Sequence, residues 1–414
     1  MAAQLRRGMG AALGAARTAF ASRGFASMAE VNGIPVEVHN EGGSRRVVVT
    51  KELPGTRWID VLTRANCRIE VCKHPDTILS NDTIKQLIGD KADGVLGQLT
   101  EDWSEDMFAF VKGAGVKAFS TYAVGYNNVD VAGATKNGIP VGNTPGVLTE
   151  TTAEIAAALT LAAARRVVEA DEFMRSFQYK GWLPTLFVGA LLQGKTVGII
   201  GAGRIGSAYA RMMVEGHKMN LLYADPYQNK GLESYVNDYG KFLASKGEKP
   251  VTCERVSVED LLKRSDVVSL HMLLDASTRH TIDKKALGMM KKDAILVNAA
   301  RGPVIDEVAL VEHLRNNPEF RCGLDVFEDE PEMKPGLEKC KNAVIVPHIA
   351  SATLWTRGGM ATLAAANIAG RLEGWPVWSD PNNTADAYVD GAFDDMPKAS
   401  PSIVNAADLG IPKM

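Results

Sequence analysis

The chain has few cysteines. Its five, Cys67, Cys72, Cys253, Cys322 and Cys340, are scattered, odd in number and without a Cys-x-x-Cys pair. This excludes a disulfide-built scaffold and gives no sign of a metal site. It points to a reducing compartment, with the thiols packed as small apolar groups. Excess charge of either sign is also missing: 46 basic against 49 acidic residues leave a net charge of −3. Such a balance provides no electrostatic footprint for nucleic acid or an anionic membrane. Long hydrophobic runs are absent. The most apolar stretch, residues 155–164, is far shorter than the ~20 residues of a spanning helix, and Arg165 and Arg166 follow it at once. Internal repeats and low-complexity tracts are lacking too.

Acidic residues are missing from residues 1–29, which carry Arg6, Arg7, Arg17 and Arg23 among many Ala, Gly and Ser. On a helical wheel Leu5, Met9, Leu13, Ala16 and Phe20 share a side that Arg7 and Arg17 avoid. This is the make-up of an organellar transit peptide, with a processing region near residues 23–27. The expected destination is the mitochondrion, with the chloroplast as alternative and a plain basic tail as the bland reading. The chain ends in Pro412-Lys413-Met414 rather than the Ser-Lys-Leu peroxisomal address, so a peroxisomal location is not expected.

What is present is alternation. At 414 residues the chain is long for one core, so two domains are expected. From about residue 45, short β-branched runs (46–50, 68–71, 94–96, 116–120, 140–142) alternate with helical stretches (57–64, 83–88), the pattern of a parallel sheet covered by helices. A long helix is expected over 150–178, capped by Thr149, its Ala-rich start suited to another helix or a second subunit. Further strands are expected at 196–200, 219–224, 266–270, 294–298, 322–325 and 343–346, each apolar as in a sheet buried on both faces. Residues 227–256 break the rhythm and carry Lys230, Lys241, Lys246 and Lys249. They read as a solvated helical insertion in preference to a basic lid. A last helix spans about 354–373, and the proline-bearing tail beyond 379 is expected to be extended or poorly ordered.

The fold class is therefore α/β: two Rossmann-like domains with doubly wound parallel sheets and a cleft between them. The boundaries read as residues 1–29 for the transit segment and 30–145 for the first part of a discontinuous substrate domain. Residues 146–349 form a nucleotide-binding domain, 350–380 a helix returning to the substrate domain, and 381–414 the tail.

Residues 197–206 read Val-Gly-Ile-Ile-Gly-Ala-Gly-Arg-Ile-Gly, between an apolar strand and a helix, and Asp225 ends the next strand nineteen residues later. Gly201 permits the tight turn, Gly203 lets a pyrophosphate approach the backbone, and Gly206 lets helix pack on strand. Arg204 and Ile205 open the helix whose N–H groups face the phosphates. Asp225 stands where a carboxylate accepts both ribose hydroxyls, which favours NAD(H) over its 2′-phosphorylated form.

Three clusters follow later strands, where open α/β sheets hold their ligands. In Asn298-Ala299-Ala300-Arg301-Gly302, Arg301 offers a planar fork for a carboxylate. Asp325-Val326-Phe327-Glu328-Asp329-Glu330-Pro331 is acidic, and Val346-Pro347-His348-Ile349-Ala350-Ser351-Ala352 places a histidine before a helix. Singly these read as a structural ion pair, a solvated carboxylate and a packed histidine. Together in a nucleotide-binding chain they supply a carboxylate anchor, a proton donor and a partner for the protonated donor, the functions needed to reduce a 2-keto acid.

Over about residues 45–380 the chain resembles the D-isomer-specific 2-hydroxyacid dehydrogenases. The resemblance rests on Tyr122-Ala-Val-Gly-Tyr-Asn-Asn-Val-Asp130, Thr149-Glu-Thr-Thr-Ala-Glu154, residues 201–206, 298–302 and 325–331, and Pro347 to Thr353. Within that family it is most similar to the photorespiratory plant type that reduces hydroxypyruvate with NADH. The resemblance implies reduction of hydroxypyruvate to D-glycerate, with glyoxylate to glycolate as a secondary activity. It implies that the backbone at Val124 and Gly125, with Arg301 and Ser351, holds substrate, that His348 is the acid/base, and that Glu330 orients it. Asp325 is placed near the nicotinamide, and Ala299, Arg301, His348, His271 and Leu273 line the cofactor. The partners expected are a small 2-keto acid and a second copy of the chain, with no nucleic acid, membrane or metal. Another 2-hydroxyacid enzyme of the fold and a non-enzymatic NADH-sensing corepressor-like protein are the alternatives.

Overall fold

The computed structural model describes residues 26–414 apart from 379, 381 and 382. The segment on which the import expectation chiefly rests therefore lies outside the described residues. The described residues form two compact units, those up to 145 with 358–414, and 146–357. Expected at 349/350, the return to the first unit falls inside helix Leu354–Leu372, which runs from one unit into the other.

The first unit holds a seven-stranded sheet. Its strands are β1 (Ser27–Val31), β2 (Ile34–His39), β3 (Arg45–Val49), β4 (Cys67–Cys72), β5 (Gly94–Gly97), β6 (Ala118–Thr121) and β7 (Val141–Gly142). Their order is β1-β2-β4-β3-β5-β6-β7, parallel from β4 to β7. Val36, Val38, Val48, Val95, Phe119 and Val141 belong to one core beneath it. Trp103 packs in that core 4.3 Å from the Phe119 ring centroid.

The β1–β2 hairpin corrects the reading of residues up to 29 as wholly presequence, since Ser27 is already strand. Its signal is in the sequence. Asn32 and Gly33 both take left-handed backbone angles (φ 49° and 83°), the conformation that Asn-Gly supplies to a two-residue hairpin turn.

The second unit holds β8 (Thr196–Ile200), β9 (Asn220–Ala224), β10 (Cys253–Arg255), β11 (Val267–Leu270), β12 (Ile295–Asn298), β13 (Arg321–Leu324) and β14 (Ala343–Ile345). All are parallel, in the order β10-β9-β8-β11-β12-β13-β14. Successive side chains serve opposite faces. Val197, Ile199, Leu221 and Tyr223 join one core, and Ile200, Leu222, Val268 and Leu296 the other. This is the doubly wound dinucleotide-binding order, with its switch point between β8 and β11.

Three expectations are corrected here. The long helix is broken into Thr149–Arg165 and Val167–Arg175 by Arg166, left-handed at φ 54°. Glu169 locks the break by pairing with Arg166 and Arg321. Thr149 is not the cap: it lies inside the helix, and Leu148 precedes it without a side-chain hydrogen bond. Residues 227–256 are more than an insertion. Asn229 caps helix Lys230–Ser245, whose Leu232, Val236 and Leu243 enter the core, and the segment then supplies edge strand β10.

The tail is also corrected. It forms short helical turns at Asp386–Asp390 and Phe393–Asp395, and its extended stretches make isolated bridges from Ser400 to Val377 and from Ile403 to Gly142. Tyr388 is buried and its hydroxyl donates to Ala399 O, Val404 N donates to Val141 O, and Met414 N to Val377 O.

The Ala-rich helix Thr149–Arg165 turns Ala153, Ala156 and Ala163 inward, so its small residues serve packing within the unit. A Cβ built on Gly323 of β13 would stand 2.7 Å from Leu159 Cβ. Gly323→Ala is therefore expected to lower stability by about 1–3 kcal/mol through overpacking, read as a fall in the urea midpoint of unfolding.

Candidate active site

The turn after β8 leaves no room for side chains. Gly201 is left-handed (φ 94°), and a Cβ there would meet the backbone of His271 at 2.7 Å. A Cβ at Gly206 would stand 2.1 Å from Gly201 O. Gly203 is the opposite case: it is exposed, with nothing within 4 Å of its Cβ position, and as N-cap of helix Arg204–His217 it brings no side chain to the first turn. A phosphate group can thus come directly to the helix N-terminus. At the end of β9, Asp225 accepts from Ala202 N and Tyr227 N, both at 2.8 Å, and so ties the glycine turn to the neighbouring strand. The residues present fit a dinucleotide.

His271 departs from its expected place. Its ring is turned inward against Tyr209, with Nε2 2.8 Å from Ser269 Oγ, and burial pushes its pKa down to about 3. It is a neutral packing residue beneath the glycine turn, whereas Leu273 is exposed.

The three clusters after later strands do come together within this unit. Asn298 at the end of β12 is fully buried. Its Nδ2 donates to Arg301 O and its Oδ1 accepts from Ala300 N, which shapes the arginine loop. A Cβ at Gly302 would lie 1.7 Å from Phe327 O, so only glycine lets the arginine loop touch the acidic loop. Burial pulls the Arg301 pKa below its ordinary value, and the Glu330 charge opposes that.

At the end of β13, Asp325 is buried, and three successive amides bond to it. His348 N donates to its carbonyl (2.9 Å), Ile349 N to Oδ1 (2.6 Å) and Ala350 N to Oδ2 (3.1 Å). His348 is left-handed at φ 50°. That costs about 1–2 kcal/mol in a non-glycine residue, less than the two bonds to the carboxylate supply together at ~1.5–3 kcal/mol each. The Asp325 carboxylate has no exposed surface, and its hydrogen bonds shape the histidine turn.

His348 Nδ1 lies 2.9 Å from Glu330 Oε2, and Glu330 Oε1 accepts from Phe327 N. Burial raises the Glu330 pKa. The His348 hydrogen bond and charge, the Phe327 amide and Arg301 together outweigh burial and hold it below the usual carboxylate range. Ser351 is half-buried in the same turn, and Ala299 is buried.

In the first unit, Val124 and Gly125 are half-buried in the loop after β6. Asn143 Nδ2 donates to Val124 O (2.9 Å), and Thr144 N to Ala123 O (2.9 Å). Asn128 Nδ2 donates to Gln98 O and Glu101 O, joining this loop to the one after β5. Sequence reasoning missed these asparagines, and also Glu307, which accepts from Glu328 N and Lys334 N and staples the acidic loop. Asn143 and Glu307 belong to no motif, and Asn128 sits within the stretch Tyr122 to Asp130 without having been singled out; the signal available was a polar side chain next to a strand or turn.

Residues 157–350 match the family described as D-isomer specific 2-hydroxyacid dehydrogenase, NAD binding domain. The chain is 63% identical over 380 residues to a glycerate dehydrogenase of Arabidopsis thaliana that is named as peroxisomal, covering 92% of this chain and 98% of that one. A glyoxylate reductase of Thermococcus litoralis is 40% identical over 338 residues, 78% of this chain and 92% of its own. Among solved structures, a glyoxylate reductase from Paecilomyes thermophila aligns with TM-score 0.67 at 28% identity, over 80% of this chain and 96% of that one. The cofactor of the second unit is NAD(H).

The same comparison corrects the expected organelle. The Arabidopsis relative is named peroxisomal, which overturns the mitochondrial reading and its plastid alternative. A basic, acid-free composition is not peculiar to import signals.

Because the native environment lowers the Glu330 pKa, its ionised form contributes stability above the unfolded value. That contribution is lost as pH falls through the lowered one. Between pH 7 and acid below about pH 4, Glu330→Gln is expected to lose less stability than the unsubstituted protein, as read from urea midpoints at each pH. Equal losses would show that the carboxylate is not held in this way.

Proposed function

The chain belongs to the D-isomer-specific 2-hydroxyacid dehydrogenases, and from that premise we propose that it reduces hydroxypyruvate to D-glycerate with NADH. Glyoxylate, reduced to glycolate, is the secondary substrate, a reading supported by the glyoxylate reductases among its relatives. The observation that carries the mechanism is the His348–Glu330 hydrogen bond beside Arg301.

Glu330 can only accept, so Nδ1 of His348 is the donor in that bond, and Nε2 is left to exchange a proton with substrate. NADH, when bound, supplies the hydride that reduces the keto carbon. His348 gives its Nε2 proton to the keto oxygen, while its Nδ1–H keeps the hydrogen bond to Glu330 that orients the ring. In the reverse direction Nε2 takes the proton from the hydroxyl. In the second unit Arg301 grips the carboxylate or keto oxygen with its planar fork, with Ser351 as a further substrate contact; in the first unit the backbone amides at Val124 and Gly125 are read as substrate contacts. Gly201, Gly203 and Gly206, with the helix opened by Arg204 and Ile205, take the pyrophosphate. Asp225 takes the ribose, and its charge disfavours a 2′-phosphate.

A homodimer is part of this proposal, but through a surface other than the Ala-rich helix. Residues 167–191 expose Val167, Met174, Phe177, Trp182, Leu183 and Leu191, with Phe177 86% and Trp182 78% exposed. An apolar stretch of this kind suits a second copy of itself across a twofold axis. Trp182→Glu is expected to shift sedimentation from dimer to monomer; a monomeric unsubstituted protein would overturn the assignment.

Steady-state oxidation of NADH and NADPH with hydroxypyruvate, glyoxylate and pyruvate tests the activity. The highest kcat/KM is expected for NADH with hydroxypyruvate, and absence of turnover would favour a non-enzymatic NADH-binding role. Arg301→Lys keeps the charge and loses the fork. It is expected to lower kcat/KM for hydroxypyruvate about 100-fold, some 2.7 kcal/mol of transition-state binding, with NADH affinity unchanged. Near-normal kcat/KM would make Arg301 structural.

A further inference from the structure

The substrate loop of the first unit is held, through one asparagine, by the far C-terminal end of the chain. Asn143 follows β7 and is buried. All its polar groups are engaged: Nδ2 donates to Val124 O (2.9 Å), Oδ1 accepts from Ser402 Oγ (2.6 Å), its backbone N donates to Ser402 O, and its carbonyl accepts from Asn367 Nδ2 (2.8 Å). The Val124 carbonyl, an acceptor only, turns Nδ2 of the Asn143 amide toward itself, and the Ser402 hydroxyl anchors the Oδ1 end that this leaves.

Ser402 is itself anchored on two sides. Its N–H donates to Asn367 Oδ1 at 2.8 Å in helix Leu354–Leu372. The residues after it line the free edge of β7: Ile403 bridges antiparallel to Gly142, Val404 N donates to Val141 O, and Asn405 Oδ1 accepts from Val141 N. Gly142 admits no Cβ there, since one would lie 2.7 Å from Asn367 and Ser120. The tail thus closes an otherwise open sheet edge and, at the same place, reaches the carbonyl one residue before Gly125.

We propose that residues 400–405 are a positioning element of the substrate site, in which Ser402 anchors the Asn143 amide and Asn143 holds the Val124–Gly125 backbone that receives the substrate carboxylate. This rests on the reading of that backbone as the carboxylate holder. Neither Ser402 nor Asn143 touches substrate; both act through the orientation of the loop. An amide hydrogen bond that is mis-aimed weakens ground-state and transition-state binding alike, so the effect falls on KM and leaves kcat nearly unchanged.

The test uses the full chain with saturating NADH. Ser402→Ala is expected to raise KM for hydroxypyruvate about three- to tenfold, with kcat, NADH affinity and thermal midpoint nearly unchanged. Ser402→Thr, which keeps the hydroxyl, is expected to restore KM. Asn143→Leu, nearly isosteric but without the amide, is expected to raise it at least as far. Gly125→Ala separates the two layers of the argument, because its methyl stands on the backbone that receives the carboxylate. If Gly125→Ala raises KM and Ser402→Ala does not, the tail has no positioning role and the substrate loop stands. If neither raises KM, the assignment of the loop falls and the proposal with it. A rise in KM accompanied by an equal loss of NADH affinity or a collapsed thermal midpoint would mark general unfolding and overturn the proposal.

Discussion

Three successive backbone amides, those of His348, Ile349 and Ala350, converge on Asp325, and the chemistry of the second unit depends on that convergence. It holds a histidine in a left-handed conformation that side chains ordinarily avoid. In that conformation Nδ1 reaches Glu330, three residues beyond the close approach of the arginine and acidic loops at Gly302. A buried carboxylate is costly unless its lone pairs are satisfied. Asp325 meets that condition by fixing the turn, so its burial and the placing of the His348 ring beside Glu330 are one structural fact.

Strand ends in both units are braced by short polar side chains. Asn298 shapes the arginine loop, Asp225 ties the glycine turn to β9, and Asn143 and Asn128 hold the loop after β6. Parallel strands buried on both faces leave their polar groups open only at the ends, where chain direction changes. A side chain of two or three heavy atoms beyond Cβ satisfies such groups without filling the space a ligand needs.

Much of this was legible in the chain itself. The strand–glycine–helix–strand–Asp pattern identified the dinucleotide unit, because each glycine there answers a steric demand that no other residue meets. Arg301, Glu330 and His348 were legible because each follows an apolar strand, and strand ends are where such sheets bind. The helix break at Arg166 was not legible: nothing local marks an arginine as left-handed, and the partner that locks it, Glu169, is itself held by Arg321 from a distant strand. The Asn-Gly turn of β1–β2 was legible in principle and hidden by the basic composition just before it.

The sequence by itself determined the class of fold, the family and the cofactor. These follow from steric and chemical requirements carried within short segments: a glycine where a Cβ cannot stand, an apolar strand running into it, a carboxylate at the end of the neighbouring strand. Only the tertiary structure decided that Asp325 serves the histidine turn, that His271 points inward, and that the proline-bearing tail closes a sheet edge beside Val124. Those outcomes depend on groups tens to hundreds of residues apart competing for the same hydrogen bonds, and no local pattern records which of them wins.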